Sequence, residues 1–211
     1  MDSDYRTIAK NGAAEEEIRK SRFICHLKRT NTEEEAIDFI DQIKKEHAKA
    51  THNCSAYLIG ETNEIQRAHD DGEPSGTAGV PMLEVLKKND LKNVTAVVTR
   101  YFGGVKLGAG GLIRAYGGAV SNALRELGVV ERKQMQEIHL SVAYTLSGKV
   151  ENELRNSSYL LEDTLYTDAV TYVVLVNPDE VSSFKEYFVN LTSDQATFEE
   201  TEMKFIERPV S

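Results

Sequence analysis

Residues 93–127 read NVTAVVTRYFGGVKLGAGGLIRAYGGAVSNALREL, and this stretch decides the fold. Val94, Ala96 and Val98 alternate with Thr95, Val97 and Thr99, the pattern of a buried strand, and the pattern breaks at Gly103-Gly104. From near Ala109, Leu112, Tyr116, Ala119/Val120, Ala123/Leu124 and Leu127 recur at three-to-four spacing. That spacing predicts a helix with one apolar stripe, ended by Gly128.

Seven of the 14 glycines lie between Gly103 and Gly118, although a glycine inside a helix costs about 1 kcal/mol against alanine. Something must offset that cost. Gly117-Gly118 would let the sheet pack closely on the helix, while Gly103, Gly104, Gly108, Gly110 and Gly111 would permit left-handed dihedrals or the close approach of a ligand. The same stretch carries Arg100, Lys106 and Arg114, with no acidic residue between Asp90 and Glu126. Positive side chains around the start of a helix suit an anion. Tyr101, Phe102 and Tyr116 add aromatic rings that would either stack on unpaired bases or sit in the core.

Charge is uneven along the chain. The whole sequence carries -9, and residues 1–86, 87–133 and 134–211 contribute -6, +6 and -9. Wholesale coating of nucleic acid is excluded, but a local basic face is not, and the one positive third contains the glycine loop. Composition is that of an ordinary globular protein, and no run approaches the ~20 apolar residues of a membrane span. With no apolar leader at its start, the chain is expected in the cytoplasm. Cys25 and Cys54 form no CxxC and are expected as buried free thiols.

Before the organising stretch, Tyr5 to Ala9 and Ala14 to Leu27 alternate as strands, with Asn11-Gly12 as the turn of a hairpin. Thr30/Thr32 followed by Glu33 to Glu35 starts an amphipathic helix that reaches Lys44-Lys45. His52 to Gly60 and Glu64 to His69 read as two further strands. Between them and the next short helix lies DDGEPSGTAG, residues 70–79, with three carboxylates and two hydroxyls. Asp70, Asp71 and Glu73, with His52 nearby, would hold a divalent cation or supply acid–base pairs; the competing expectation is a turn that caps the following helix. No other cofactor is indicated. Familiar nucleotide motifs are excluded: Ala109-Gly110 stands where a Walker loop needs Lys-Ser/Thr, and Gly108-Ala-Gly110 lacks the third glycine of a dinucleotide fingerprint. Ser75 lies in PSGTAG, not in an esterase GxSxG.

HNCSAY, DDGEPSGTAG, TRYFGG and KLGAGGLIRAYGGA, in this order, resemble the motifs of the IMPACT/YigZ family, bacterial two-domain branch. The resemblance implies an α+β chain. Its N-terminal domain, residues 1–130, would have the βα fold with a left-handed crossover seen in elongation factor G domain IV and in certain small-molecule kinases. Its C-terminal domain, residues 135–211, would be ferredoxin-like. The second half independently gives strand, helix, hairpin, helix and strand, the βαββαβ order, with Gly128 to Gln134 as the linker.

The family's eukaryotic members regulate translation through an additional partner-binding domain of which this sequence shows no counterpart, so the resemblance carries over only an association with translation and no catalytic residue. Two functions follow. The first is a non-enzymatic regulatory protein that binds RNA, the ribosome or a translation-factor partner through Arg100, Lys106, Arg114 and the glycine loop. The second is an enzyme or binder acting on a small phosphorylated metabolite, with or without a divalent metal. The two motif loops are also expected to share one rim of the N-terminal sheet, where Asp71 or Glu73 would pair with Arg100 or Arg114 to preorganise the glycine loop, or both loops would bind different ends of one ligand. The expected sign is a carboxylate of Asp70, Asp71 or Glu73 within about 8 Å, roughly the physiological Debye length, of the charged group of Arg100, Lys106 or Arg114.

Overall fold

Strand β6, Val94–Tyr101, lies at the centre of the first sheet, and every residue from Val94 to Arg100 is buried. In the computed structural model, which describes residues 4–210, its neighbours are β3 (Ser21–Arg29) and β4 (His52–Ile59), both antiparallel to it. Strands β2 (Gly12–Ile18) and β5 (Ile65–His69) form the edges, giving the order β2-β3-β6-β4-β5. The period-two pleat divides the apolar residues between two faces. Phe23, Cys25, Leu27, Cys54, Ala56, Leu58, Ala96 and Val98 face helices α2 (Gly79–Lys88) and α3 (Gly108–Leu127). Tyr57, Ile59 and Val97 face α1 (Glu33–Glu46). That helix starts as expected, with Thr32 Oγ1 accepting from Glu35 N at 3.2 Å.

The handedness of the connections follows from this topology. β3-α1-β4 moves two places across the sheet in one direction, and β5-α2-β6 moves two places back between strands that run the other way. Two such connections with their helices on the same face would share one hand. Here α1 and α2 cover opposite faces, so the hands differ and one crossover is left-handed, against the strong right-handed rule for such connections.

One local expectation is corrected. Asn11-Gly12 is not a hairpin turn; Asn11 Oδ1 instead accepts from Arg29 N at 2.8 Å, and β1 (Tyr5–Ile8) pairs with Val129 to Arg132. The hairpin joins β2 to β3 through Arg19 and Lys20, both left-handed at φ 47° and 68°. Nothing in the residue types Arg-Lys announces that turn.

The chain forms two units, one reaching Arg132 and including the residues from Glu207, the other Lys133–Ile206. No linker separates them at 128–134: Gly128 caps α3 with φ 84°, and β7 (Val129–Val142) begins at the next residue. The residues from Glu207, expected in the second domain, group with the first unit, where Val210 N donates to Val129 O at 2.9 Å. The second unit continues β7 into α4 (Tyr144–Arg155), β8 (Leu160–Tyr166), β9 (Val170–Val176), a 3₁₀ turn at Pro178–Glu180, α5 (Val181–Leu191) and β10 (Thr197–Pro209). β9 lies between β7 and β8, and β10 pairs with β7, the ferredoxin-like arrangement. Alternate residues Ile138, Leu140, Val142, Tyr172 and Val174 meet Val150, Leu154, Phe184 and Phe188 from the helices.

Candidate functional site

The acidic loop between β5 and α2 is held by its own first residue. Asp70 Oδ2 accepts from Gly76 N at 2.9 Å, and Oδ1 accepts from Ala78 N at 3.1 Å and Gly79 N at 2.9 Å. Ala78, at the N-cap of α2, has no side chain that could do this. Burial pushes the Asp70 carboxyl up, but the amides of Gly76, Gly79 and Ala78 outweigh it, and its pKa lies below the ordinary carboxylate value. Asp71, left-handed at φ 45°, accepts from Asn53 N at 2.7 Å. Its carbonyl faces His52 Nδ1 at 2.8 Å. A carbonyl only accepts, so Nδ1 carries a proton. Two of the three carboxylates thus bind backbone amides, which corrects the expectation that Asp70 and Asp71 join Glu73 as ligands or bases.

Glu73 does something different. It is 8% exposed, and its Oε1 accepts from Arg100 Nη1 at 2.6 Å and from Tyr116 Oη at 2.7 Å, with His52 Nε2 at 3.6 Å. Its Oε2 accepts no hydrogen bond among the described residues. Arg100 is itself 5% exposed, and its guanidinium lies 5.5 Å from the ring centre of Phe23 and 5.4 Å from that of Phe102. Strand β6 therefore ends on a buried ion pair tied to α3 through Tyr116, whose phenol is pushed up by burial. The motif loops meet, well inside the expected 8 Å, at Glu73 and Arg100.

After β6 the glycines have separate causes. A Cβ on Gly103 would lie 2.0 Å from the Lys20 carbonyl oxygen, so the β2–β3 turn lies directly against it. Gly104 and Gly108 have φ of 86° and 74° and open space around them. Gly117 meets Pro81 and Val85 of α2, and a Cβ on Gly118 would meet only Glu16 Oε1 at 4.0 Å, all ordinary contact distances, so neither makes the close helix–sheet approach expected of them. α3 then begins without a cap: Leu107 at its N-cap makes no side-chain hydrogen bond, and its first turn has no acidic residue. Its first amides are left without intrahelical partners.

A cavity of about 390 Å³ opens beside that helix start, bounded by His52, Glu73, Arg100, Phe102, Lys106 and Leu107 among others. Leu107 also borders a recess of about 240 Å³ holding Arg114, Gly111 and Arg19. Lys106 and Arg114 are exposed and make no ion pair or hydrogen bond among the described residues. A larger cavity of about 480 Å³ lies near the other end of α3, by Arg6 and Arg125, and none of the motif loops borders it.

Of the expected binding residues, the structure gathers His52, Glu73, Arg100, Lys106 and Gly108 at one cavity, with Gly111 and Arg114 in the adjoining recess and Gly110 against the Arg114 guanidinium. Two aromatic expectations are corrected. Tyr116 is 0% exposed and bonded to Glu73, so it offers no stacking face. Tyr101 bonds His47 at 2.7 Å and follows Arg100 on the opposite side of the strand. Arg19 was not expected at this rim; its only sequence sign is a basic pair between two strand-like runs. Both cysteines are buried free thiols, as expected, and Cys54 Sγ donates to Asp70 O at 2.9 Å. Burial pushes its thiol up to about 12, too high for a nucleophile near neutrality.

Comparison with known proteins places these residues in a wider set. The Impact N-terminal domain family matches residues 19–124, and a domain of unknown function, DUF1949, matches residues 140–195. "IMPACT family member YvyE" of Bacillus subtilis (strain 168) is 56% identical over 207 residues, 98% of this chain and 95% of that protein. "Protein IMPACT homolog" of Dictyostelium discoideum is 41% identical over 96 residues, 43% of this chain and 27% of that protein. A crystal structure of a hypothetical protein superposes with a TM-score of 0.61 at 33% identity, covering 96% of this chain and 98% of that one.

Proposed function

The chain belongs to the IMPACT family, and from that premise we propose that it is a non-enzymatic, translation-associated regulatory protein whose first unit binds RNA or ribosomal phosphates at the start of α3. The observation that carries this reading is the charge around that helix start. Lys106, Arg114 and Arg19 stand exposed at its rim in a chain of net charge -9. Some exposed basic residues of the same unit have acidic partners, as in Arg22–Glu15 and Lys87–Glu84, whereas these three have none among the described residues. Unpaired cations beside free helix amides are poised for phosphate oxygens.

Fluorescence anisotropy with a labelled single-stranded RNA across a salt series tests it. Log affinity falls with log salt, and the slope shrinks by about 0.7–1 for each charge removed in Lys106→Ala or Arg114→Ala. An unchanged slope in both variants overturns the reading.

A second reading, a binder or enzyme for a small phosphorylated metabolite, is favoured by one feature: Glu73 and His52 border the cavity into which a phosphate on the α3 amides would lead. Because Asp70 and Asp71 are committed to backbone, a cation held by three loop carboxylates does not fit this geometry. A thermal-shift panel of nucleotides and sugar phosphates, with and without Mg²⁺, separates the two. A ligand at 100 times its Kd adds about 2.7 kcal/mol of stability, and silence across the panel removes this reading.

A further inference from the structure

We infer that the recess between α4 and α5 of the second unit is a binding site for an alkylammonium cation, with Glu153 as its counter-charge and the rings of Tyr159 and Tyr187 as its walls. The recess, about 430 Å³, is bounded by Glu153, Asn156 and Ser157 at the end of α4, by Tyr159, and by Ser183 and Tyr187 of α5. Its size lies within the ligand-pocket range of about 300–1,000 Å³. Both rings are braced from the core. Tyr159 stands edge-on to Phe184, ring centres 4.9 Å apart at 84°, and Tyr187 to Phe188, 5.2 Å apart at 80°. Phe184 and Phe188 are wholly buried, while Tyr187 is 47% exposed. The negative face of an aromatic ring attracts a cation, and alkylated ammonium groups are the ligands that aromatic-walled sites take.

The surrounding charge has one sign. Glu153 is half-buried, its Oε2 accepts from Tyr187 Oη at 2.5 Å, and it has no basic partner among the described residues. The basic residues of the same two helices are committed elsewhere: Arg155 to Glu151, Lys185 to Glu200 and Lys149 to the Leu191 carbonyl. Asn156 and Ser157 mark the C-terminal end of α4, the negative end of its dipole. The positive start of α5, where Ser183 lies, is preceded by Asp179 and Glu180, acids that complement it. The phenols register this field: the hydrogen bond to Glu153 pushes Tyr187 up, and burial, then the charge of Glu180, pushes Tyr159 up. No basic side chain borders the recess among the described residues. An anion would meet only like charge there, and an uncharged apolar group would take water from Glu153 without replacing it. A cation carrying alkyl groups meets both the rings and the carboxylate.

Such a group comes either from a free amine or from a lysine side chain of another protein. NMR titration of the isotope-labelled full chain tests the site with three probes: choline, its uncharged isostere in which carbon replaces the nitrogen, and an acetylated lysine amide with a free side chain. Choline is expected to shift the amides around Glu153 to Tyr159 and Ser183 to Phe188 saturably, and to bind roughly tenfold tighter than the isostere. Tyr187→Leu lowers choline affinity roughly threefold, whereas Tyr187→Phe, which keeps the ring and removes the phenol, retains it. Glu153→Gln loses most of the difference between choline and the isostere. Tighter binding of choline than of the lysine probe supports the site with a free amine as its source, and the reverse order supports it with a protein side chain. Equal affinity for choline and the isostere overturns the inference, as do shifts spread over the acidic surface instead of the recess, or no shift with any of the three.

Discussion

Arg100 and Arg114 flank one glycine loop with the same side chain and opposite circumstances. Arg100 is almost wholly buried, bonded to Glu73 and enclosed by Phe23 and Phe102. Arg114 is exposed in a recess shared with Arg19 and has no acidic partner among the described residues. A guanidinium removed from water must be compensated where it sits, so the first is part of the fold. The second keeps its hydration until an anion arrives. A basic residue in a motif is thus informative about binding only once its partner is known.

The largest effect expected is at the buried pair. Arg100→Ala leaves the buried Glu73 carboxylate with Tyr116 as its hydrogen-bond donor and His52 at 3.6 Å, and Glu73→Ala leaves the guanidinium without its carboxylate. Each costs about 3–5 kcal/mol in urea unfolding. The double variant should cost clearly less than the sum, because neither charge is then stranded. Additive costs would show that the two side chains act separately and would break the contrast with Arg114.

Next in size is Gly103→Ala. The added Cβ meets the Lys20–Ser21 backbone of the β2–β3 turn, which has no flexible end to give way. About 1–3 kcal/mol is expected, toward the upper figure, by the cost of overpacking. At Gly104 only the backbone conformation opposes alanine, so Gly104→Ala should cost about 1–2 kcal/mol. Equal and negligible losses at both positions would mean that the turn yields, and that the loop is not anchored there.

Asp70→Asn should have a smaller effect, about 1 kcal/mol, as for loss of a helix cap. Its pH dependence is the sharper measurement. The folded-state pKa of Asp70 is depressed below 3.8, so its contribution is fully present above the unfolded value and disappears as pH falls through the folded one. Stability curves of the parent chain and the variant should therefore converge as the pH drops below 3.8. Parallel curves from pH 7 downward would show that the charge on Asp70 is not what holds the loop.

These cases also show what the sequence could and could not disclose. Strand β6, the α3 stripe and the βαββαβ order of the second unit were legible because burial on a sheet face or a helix stripe imposes a period on residue type. The meeting of Glu73 with Arg100 was legible only as a neighbourhood, since adjoining loops on a sheet share a rim, while the choice of Glu73 over Asp70 and Asp71 depends on which carboxylate reaches which amide. Arg19 and Lys20 gave no turn signal because their left-handed conformation is imposed by the register of β2 with β3, not by their own preference. The strand at Val129 was hidden for a related reason. VVERKQMQ, residues 129–136, looks too polar for a core, but a strand needs apolar residues on only one of its faces.

The smallest stability effect belongs to Lys106, and its sign is the informative part. Lys106 stands just before Leu107, the uncapped start of α3, where the helix dipole makes a positive charge unfavourable by about 0.3–1 kcal/mol at an exposed position. No acidic partner offsets it among the described residues. Lys106→Ala should thus leave stability unchanged within about 0.5 kcal/mol, and Lys106→Glu should raise it by a few tenths of a kcal/mol at low salt, with the gain fading as salt screens the dipole. The same Lys106→Glu substitution should weaken RNA binding below that of Lys106→Ala, since it places a negative charge against phosphate. A residue whose removal leaves the fold unchanged and harms binding is one kept for its ligand. If Lys106→Ala instead costs more than about 1 kcal/mol, Lys106 is a structural cation like Arg100, and the rim at α3 loses its claim to be a binding surface.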